Sequence, residues 1–210
     1  MEVLDVRGAS AEAEAVAVAR AVAALDAGGL LLYPTDTLYA IGGRAVEAAA
    51  GRKVRDAKGR EAKALPLIAA DLDQVTTLVA DLPAAALRLA DRFWPGPLTV
   101  ILASGAIVPD EVTAGTGTVA VRVPALALAR RLCQAAGPLI STSANRAGAP
   151  PPSTCEEAVA GVGTAAALAL DAGPGSRVAS TIVDLTGTPP RLVRSGAVAW
   201  ADVLASLQAG

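Results

Sequence analysis

Three short segments hold most of the side chains that can do chemistry. Pro138-Leu-Ile-Ser-Thr-Ser-Ala-Asn145 begins as an apolar run and ends in three hydroxyls and an amide. Buried strands are normally filled with aliphatic residues, so a polar cluster directly after one needs a reason. Tyr33-Pro-Thr-Asp-Thr37 sets two hydroxyls around a carboxylate just past a predicted strand, where α/β sheets present ligand-binding loops. Such a trio suits an amine or a small polar substrate, and Asp36 can also hold a metal. Lys58-Gly-Arg60, with Lys63 close behind, gathers three cations around a glycine. Arginine offers a planar fork to phosphate oxygens, lysine a movable point charge, and glycine lets backbone approach. Singly, each segment also reads as turn and helix-cap chemistry. Together they point to a site for a charged, phosphate-bearing ligand.

Other positions extend the set. Arg122 lies within the otherwise apolar Thr118-Val-Ala-Val-Arg-Val-Pro124. An unpaired charge there is costly, so it is expected to face a carboxylate or a ligand phosphate. Ser180-Thr181 adds a hydroxyl pair before Ile-Val-Asp184, and Arg194 ends a Leu-Val-Arg strand. Phe93-Trp-Pro-Gly-Pro97 reads as a rigid structural turn whose aromatics plug the core.

Bulk properties narrow the chemistry. The 210 residues suffice for one large α/β domain and are too few for two comfortable ones, so residues 1–210 are expected to form one domain. Hydrophobic residues make up 53% and aromatics 2%, so Ala, Val and Leu must build the core. A net charge of -2 excludes a generally basic nucleic-acid coat, but Arg52, Lys53, Arg55, Lys58, Arg60 and Lys63 form a local basic run. That run equally suits a solvated helix face, and substitutions at Lys58 and Arg60 are expected to leave the fold intact. The chain has no histidine. This excludes Ser-His-Asp and Cys-His catalysis and zinc sites that need imidazole. It leaves chemistries that rest on positioning and charge stabilisation, phosphoryl and nucleotidyl transfer foremost. Cys133 and Cys155 lack metal-like spacing and read as small buried hydrophobes of a reducing compartment. With no signal pattern and no long uncharged apolar stretch, a soluble cytoplasmic protein is expected.

Helices are predicted over Ser10–Asp26, Arg44–Ala57, Pro83–Phe93, Ala125–Ala135, from Cys155 with Thr154 as cap, and over Val198–Leu207. Strands are predicted over Gly29–Tyr33, Leu65–Ala70, Pro97–Ala103, Thr118–Val123, Pro138–Ile140, Ala165–Leu170, Ser180–Leu185 and Arg191–Arg194. Pro66 implies an edge or strand-entry position. This order suggests an α/β fold whose sheet mixes parallel and antiparallel neighbours.

The sequence resembles the YrdC-like family, the threonylcarbamoyl-AMP synthases of tRNA modification. The matching pieces are Tyr-Pro-Thr-Asp-Thr at 33–37, Lys-Gly-Arg at 58–60, Phe-Trp-Pro-Gly-Pro-Leu-Thr at 93–99, Val-Ala-Val-Arg-Val-Pro at 119–124, Ser-Thr-Ser-Ala-Asn at 141–145, Ser-Thr-Ile-Val-Asp-Leu at 180–185 and Leu-Val-Arg at 192–194. Lys58/Arg60 and Ser143/Asn145 match the family's signature pairs. The chain departs from the pattern in three places. It is one residue shorter between Arg60 and Leu65, which bears on Lys63; Ala40 replaces a glycine, and Ser195 a proline.

The resemblance implies a twisted, mixed parallel/antiparallel sheet flanked by helices, with a concave basic surface. It implies synthesis of threonylcarbamoyl-AMP and pyrophosphate from L-threonine, bicarbonate and ATP, with Mg²⁺ bound alongside the nucleotide and no protein metal site. Lys58, Arg60, Ser143 and Asn145 would be catalytic. Arg60, Lys63, Thr118, Ser143, Asn145 and Arg194 would bind ATP; Thr37, Ser141 and Ser180 would bind threonine. The product would pass to a threonylcarbamoyl-transferase complex acting on tRNA, with direct RNA binding possible. The rival readings are a non-catalytic RNA-binding protein of translation or ribosome maturation, and a carbamoyl-transfer domain like that of hydrogenase maturation.

Overall fold

The computed structural model describes residues 1–59 and 63–208. In chain order the first half contains β1 (Glu2–Asp5), α1 (Ala11–Asp26), β2 (Leu31–Pro34), β3 (Tyr39–Gly42), α2 (Ala48–Lys58), β4 (Leu67–Ile68), α3 (Leu72–Leu78), α4 (Ala84–Phe93) and β5 (Leu98–Ala103). The second half contains α5 (Asp110–Thr113), β6 (Thr118–Arg122), α6 (Ala127–Ala136), β7 (Leu139–Ile140), β8 (Thr142–Ser143), α7 (Cys155–Val162), β9 (Leu168–Asp171), β10 (Thr181–Asp184), β11 (Arg191–Arg194) and α8 (Trp200–Gln208).

Helix ends follow local chemistry. Ser10 caps α1 by accepting from the Ala13 N–H, and Thr154 with Glu157 forms a reciprocal capping box on α7. α2 stops at Gly59, whose φ of 58° is left-handed and suits glycine. The predicted helix from Arg44 starts instead at Ala48, because Arg44 makes a β-bridge to Leu139.

The strands form two sheets where one was expected, and both mix parallel and antiparallel pairs. Their orders are β1-β9-β2-β3-β8 and β11-β10-β5-β6-β4-β7. β4 lies inside the second sheet, so Pro66 marks strand entry and not an edge. Alternation along each strand decides what faces where. In β2, Leu32 joins one core cluster while Leu31 and Tyr33 join another with α1 and α6, so both faces are covered. In the second sheet, Leu98, Val100 and Leu102 of β5 and Val119 and Val121 of β6 point into the core. Their alternates, Thr99, Ile101, Ala120 and Arg122, therefore look the other way, into a cleft between the sheets.

The sheets meet where the chain leaves β7 in one sheet and enters β8 in the other through Ser141 alone. This seam is tight. Tyr33 donates its hydroxyl to the Ile140 carbonyl at 2.6 Å, and the Ile140 N–H donates to Gly43 O at 2.9 Å. A Cβ on Gly42 would lie 1.6 Å from Ile140 O, so only glycine lets β3 pass. Among the described residues no helix is long and apolar enough to cross a membrane.

Candidate active site

The cleft between the sheets has a volume of about 440 Å³. Its floor is the outward face of the second sheet. Ser180, Thr99 and Arg122 form a polar band, Ser180 reaching Thr99 on the diagonal, and Ile182, paired with Thr99, joins the paired Ile101 and Ala120 in an apolar band along its side. The opposite wall comes from Thr35 and Thr37, from Ser141 at the seam, and from Ser143 and Asn145 beyond it. A charged ligand and a flat apolar group can thus lie side by side on one floor.

Arg122 anchors the polar band. It is 5% exposed, and its Nη1 donates to both carboxylate oxygens of Asp36 at 2.9 and 3.0 Å. Its Nη2 donates to the Thr37 hydroxyl at 3.2 Å, and Thr37 Oγ1 lies 3.0 Å from Thr35 Oγ1. The carboxylate expected opposite Arg122 is therefore Asp36. Burial pushes Arg122 below the ordinary arginine value, and the neighbouring Asp36 opposes that shift. At the rim, Arg194 donates from Nη2 to the Ser180 carbonyl at 2.7 Å and to its hydroxyl at 3.0 Å. Burial, and then the like charge of Arg122, push Arg194 downward too. Arg122, Arg194 and Lys63 all line the cleft, an arrangement that favours an anionic guest.

Of the residues singled out in the sequence, Thr37, Ser141, Ser143, Asn145, Lys63, Ser180 and Arg194 all line this cleft. Arg60 lies outside the described residues. Thr118 does not line the cleft; it sits two residues beyond Ala120 on the same strand face, its hydroxyl 3.0 Å from that of Thr116. Lys58 is placed differently from its reading as part of a solvated charged run. It is 3% exposed, and its Nζ donates to the carbonyls of Ser143 and Asn145 and, at 3.4 Å, to Asn145 Oδ1. The charge at the end of α2 thus braces the Ser143–Asn145 loop from behind. Asn145 Nδ2 donates onward to the carbonyls of Arg146 and Ala149. Thr181, paired with Ser180 in the sequence, is fully buried and bonded to Val198, so it is a core residue.

The structure adds Thr99 to the cleft, and brings into it Thr35 of the Thr-Asp-Thr trio and Arg122. For Arg122 the signal was present, an arginine in an apolar strand. For Thr99 it was the parity of β5, where the one hydroxyl alternates with core aliphatics.

The family model of the Sua5/YciO/YrdC proteins, described as Telomere recombination, matches residues 23–196. The chain belongs to this family. The threonylcarbamoyl-AMP synthase of Chromohalobacter salexigens is 39% identical over 170 residues, covering 80% of this chain and 92% of that protein. The threonylcarbamoyl-AMP synthase of Pyrococcus abyssi is 37% identical over 180 residues, 84% of this chain and 53% of that one. A solved structure of P. abyssi Sua5 with L-threonine superposes with a TM-score of 0.93 at 32% identity, over 98% of this chain. The present chain spans 61% of that structure's chain.

Proposed function

We propose that this chain is an L-threonylcarbamoyladenylate synthase acting as one domain over residues 1–210, and that the cleft between its sheets is the active site. The observation that carries this is the polar band of the floor, where buried Arg122, Thr99 and Ser180 meet Thr37 beside an apolar band. The amine of threonine attacks the carbon of bicarbonate or CO₂, and a carbamate forms with loss of water in the bicarbonate case. A carbamate oxygen then attacks the α-phosphorus of ATP, and the bond to pyrophosphate breaks. The carbamate decomposes in water, so a cleft closed on two sides suits it.

Arg122, held by Asp36, faces the amino-acid carboxylate, with the hydroxyls of Thr37, Ser141 and Ser180 around it. Arg194, Lys63 and Arg60 neutralise the phosphates, while Ser143 and Asn145, braced by Lys58, hold the nucleotide. Thr118 lies where the apolar band continues and would meet the base. Asp36, the carboxylate beside the floor, has both oxygens on Arg122, and among the described residues no group of three His, Cys, Asp or Glu could hold a metal. Magnesium, when present, therefore fits as a partner of phosphate oxygens and water; it supplies charge neutralisation there. The product would be passed to a transferase acting on tRNA inside the cell.

The test is pyrophosphate release by purified protein with ATP, magnesium, bicarbonate and one amino acid at a time. Release is expected with threonine. It should fall by about 10- to 200-fold at most with serine, which lacks one methyl, and far more with valine, which leaves the site's hydroxyls unpaired. Equal release with all three would overturn the substrate assignment. No release with any, together with RNA binding that weakens steeply with salt, would replace the reading with an RNA-binding one.

A further inference from the structure

We propose that Thr99 is a positioning residue for the amino-acid side of the cleft, setting the direction of the Ser180 hydroxyl. The proposal rests on the functional reading above. Thr99 is 4% exposed and lies between Leu98 and Val100, both fully buried in the core. Its Oγ1 is 2.8 Å from Ser180 Oγ. Among the described residues its hydroxyl has no other partner. A buried hydroxyl bonded only to a second hydroxyl serves that neighbour.

Counting protons gives the role. Ser180 Oγ has one proton and two lone pairs. Arg194 Nη2, which can only donate, takes one lone pair at 3.0 Å. If Ser180 gives its proton to Thr99, one lone pair remains for an incoming donor such as a substrate hydroxyl or ammonium. If Thr99 gives its proton to Ser180 instead, both lone pairs are filled and the Ser180 proton turns to the cleft, ready for a carboxylate or carbamate oxygen. Thr99 thereby lets one serine meet a donor or an acceptor, and when Thr99 is the one that donates, its own buried proton is paired as well. Arg194 holds Ser180 Oγ at a fixed point meanwhile, through further bonds to the Ser180 carbonyl at 2.7 and 3.1 Å. In the functional reading the same arginine neutralises phosphate, so the hydroxyl pair lies beside the nucleotide clamp.

The experiment compares wild type, Thr99→Val, Thr99→Ser, Ser180→Ala and the Thr99→Val/Ser180→Ala double variant. Steady-state kinetics is paired with calorimetric titration of L-threonine in the presence of ATP. Valine keeps the β-branch that suits the strand and removes the hydroxyl. Thr99→Val should raise the KM and Kd for threonine about tenfold, the weight of one hydrogen bond, and leave the KM for ATP within about twofold. Thr99→Ser should restore threonine binding, and in the Ser180→Ala background Thr99→Val should add nothing. If Thr99→Val does not fold, Thr99→Ala against Thr99→Ser decides the same question. Wild type that binds threonine while Thr99→Val binds it equally well overturns the positioning role alone. So does an equal rise in both KM values, or a full additional loss in the double variant. Wild type that binds no threonine overturns the functional reading and this role together.

Discussion

Lys58 shows what a sequence conceals about a single residue. In the chain it belongs to a run of cations, yet in the fold its ammonium is buried against the Ser143 and Asn145 carbonyls. Nothing in the local sequence reveals this, because the acceptors come from residues more than eighty positions away. Arg122 is the opposite case. Its partner was foreseeable as a class, since a buried guanidinium must be compensated, although only the fold names Asp36. Lys58→Met keeps the aliphatic stem and leaves the loop carbonyls unpaired. It should cost about 2 kcal/mol of stability, the range for a hydrogen bond to a charged group, and raise the KM for ATP. Urea unfolding together with ATP kinetics checks this. Unchanged stability with lost turnover would return Lys58 to direct contact with the phosphates.

At the scale of elements, the strands and helices with strong periodicity were legible, and those defined by crossing chains were not. α1, α4, α6 and α7 lie within a few residues of their predicted spans, because caps and apolar faces mark them locally. β3, β8 and the short helices α3 and α5 carry too few residues for a period to show. The division into two sheets was also hidden, since it depends on one residue, Ser141, carrying the chain from β7 to β8. The cost of that crossing falls on Gly42. Gly42→Ala places a Cβ against the Ile140 backbone carbonyl, which no rotamer change relieves. It should destabilise the protein by about 3 kcal/mol or more, the upper range for overpacking, and lower activity by displacing Ser141. Gly187→Ala, with nothing within 4 Å of its Cβ, is the matched control and should be near neutral. Urea midpoints for the pair test this, and equal midpoints would mean the seam is loose.

For the whole molecule, each core cluster contains its own reporter. Cys133 is fully buried in the cluster with α1 and α6, and Cys155, 4% exposed, is in the cluster spanning both sheets. Burial, and then the charges of Asp171 and Glu156, push the Cys155 thiol from 9.0 to about 11. Burial pushes Cys133 up as well. A thiol favoured in its neutral form by the fold adds stability that is complete below about pH 9 and fades as pH rises toward 11. At pH 8 the native Cys155 thiolate is therefore about one part in a thousand, and labelling by a thiol reagent must await opening of the fold. If residues 1–210 form one cooperative domain, both cysteines should label at the same rate in dilute urea, although they sit in different clusters. ATP and threonine together, binding the closed fold, should slow both rates equally by the linkage factor 1 + [L]/Kd. Mass spectrometry of each labelled peptide over time measures this. Labelling of Cys133 well ahead of Cys155, or protection of one thiol alone, would show that the clusters on the two sides of β2 open independently, and would limit the ligand's influence to one of them.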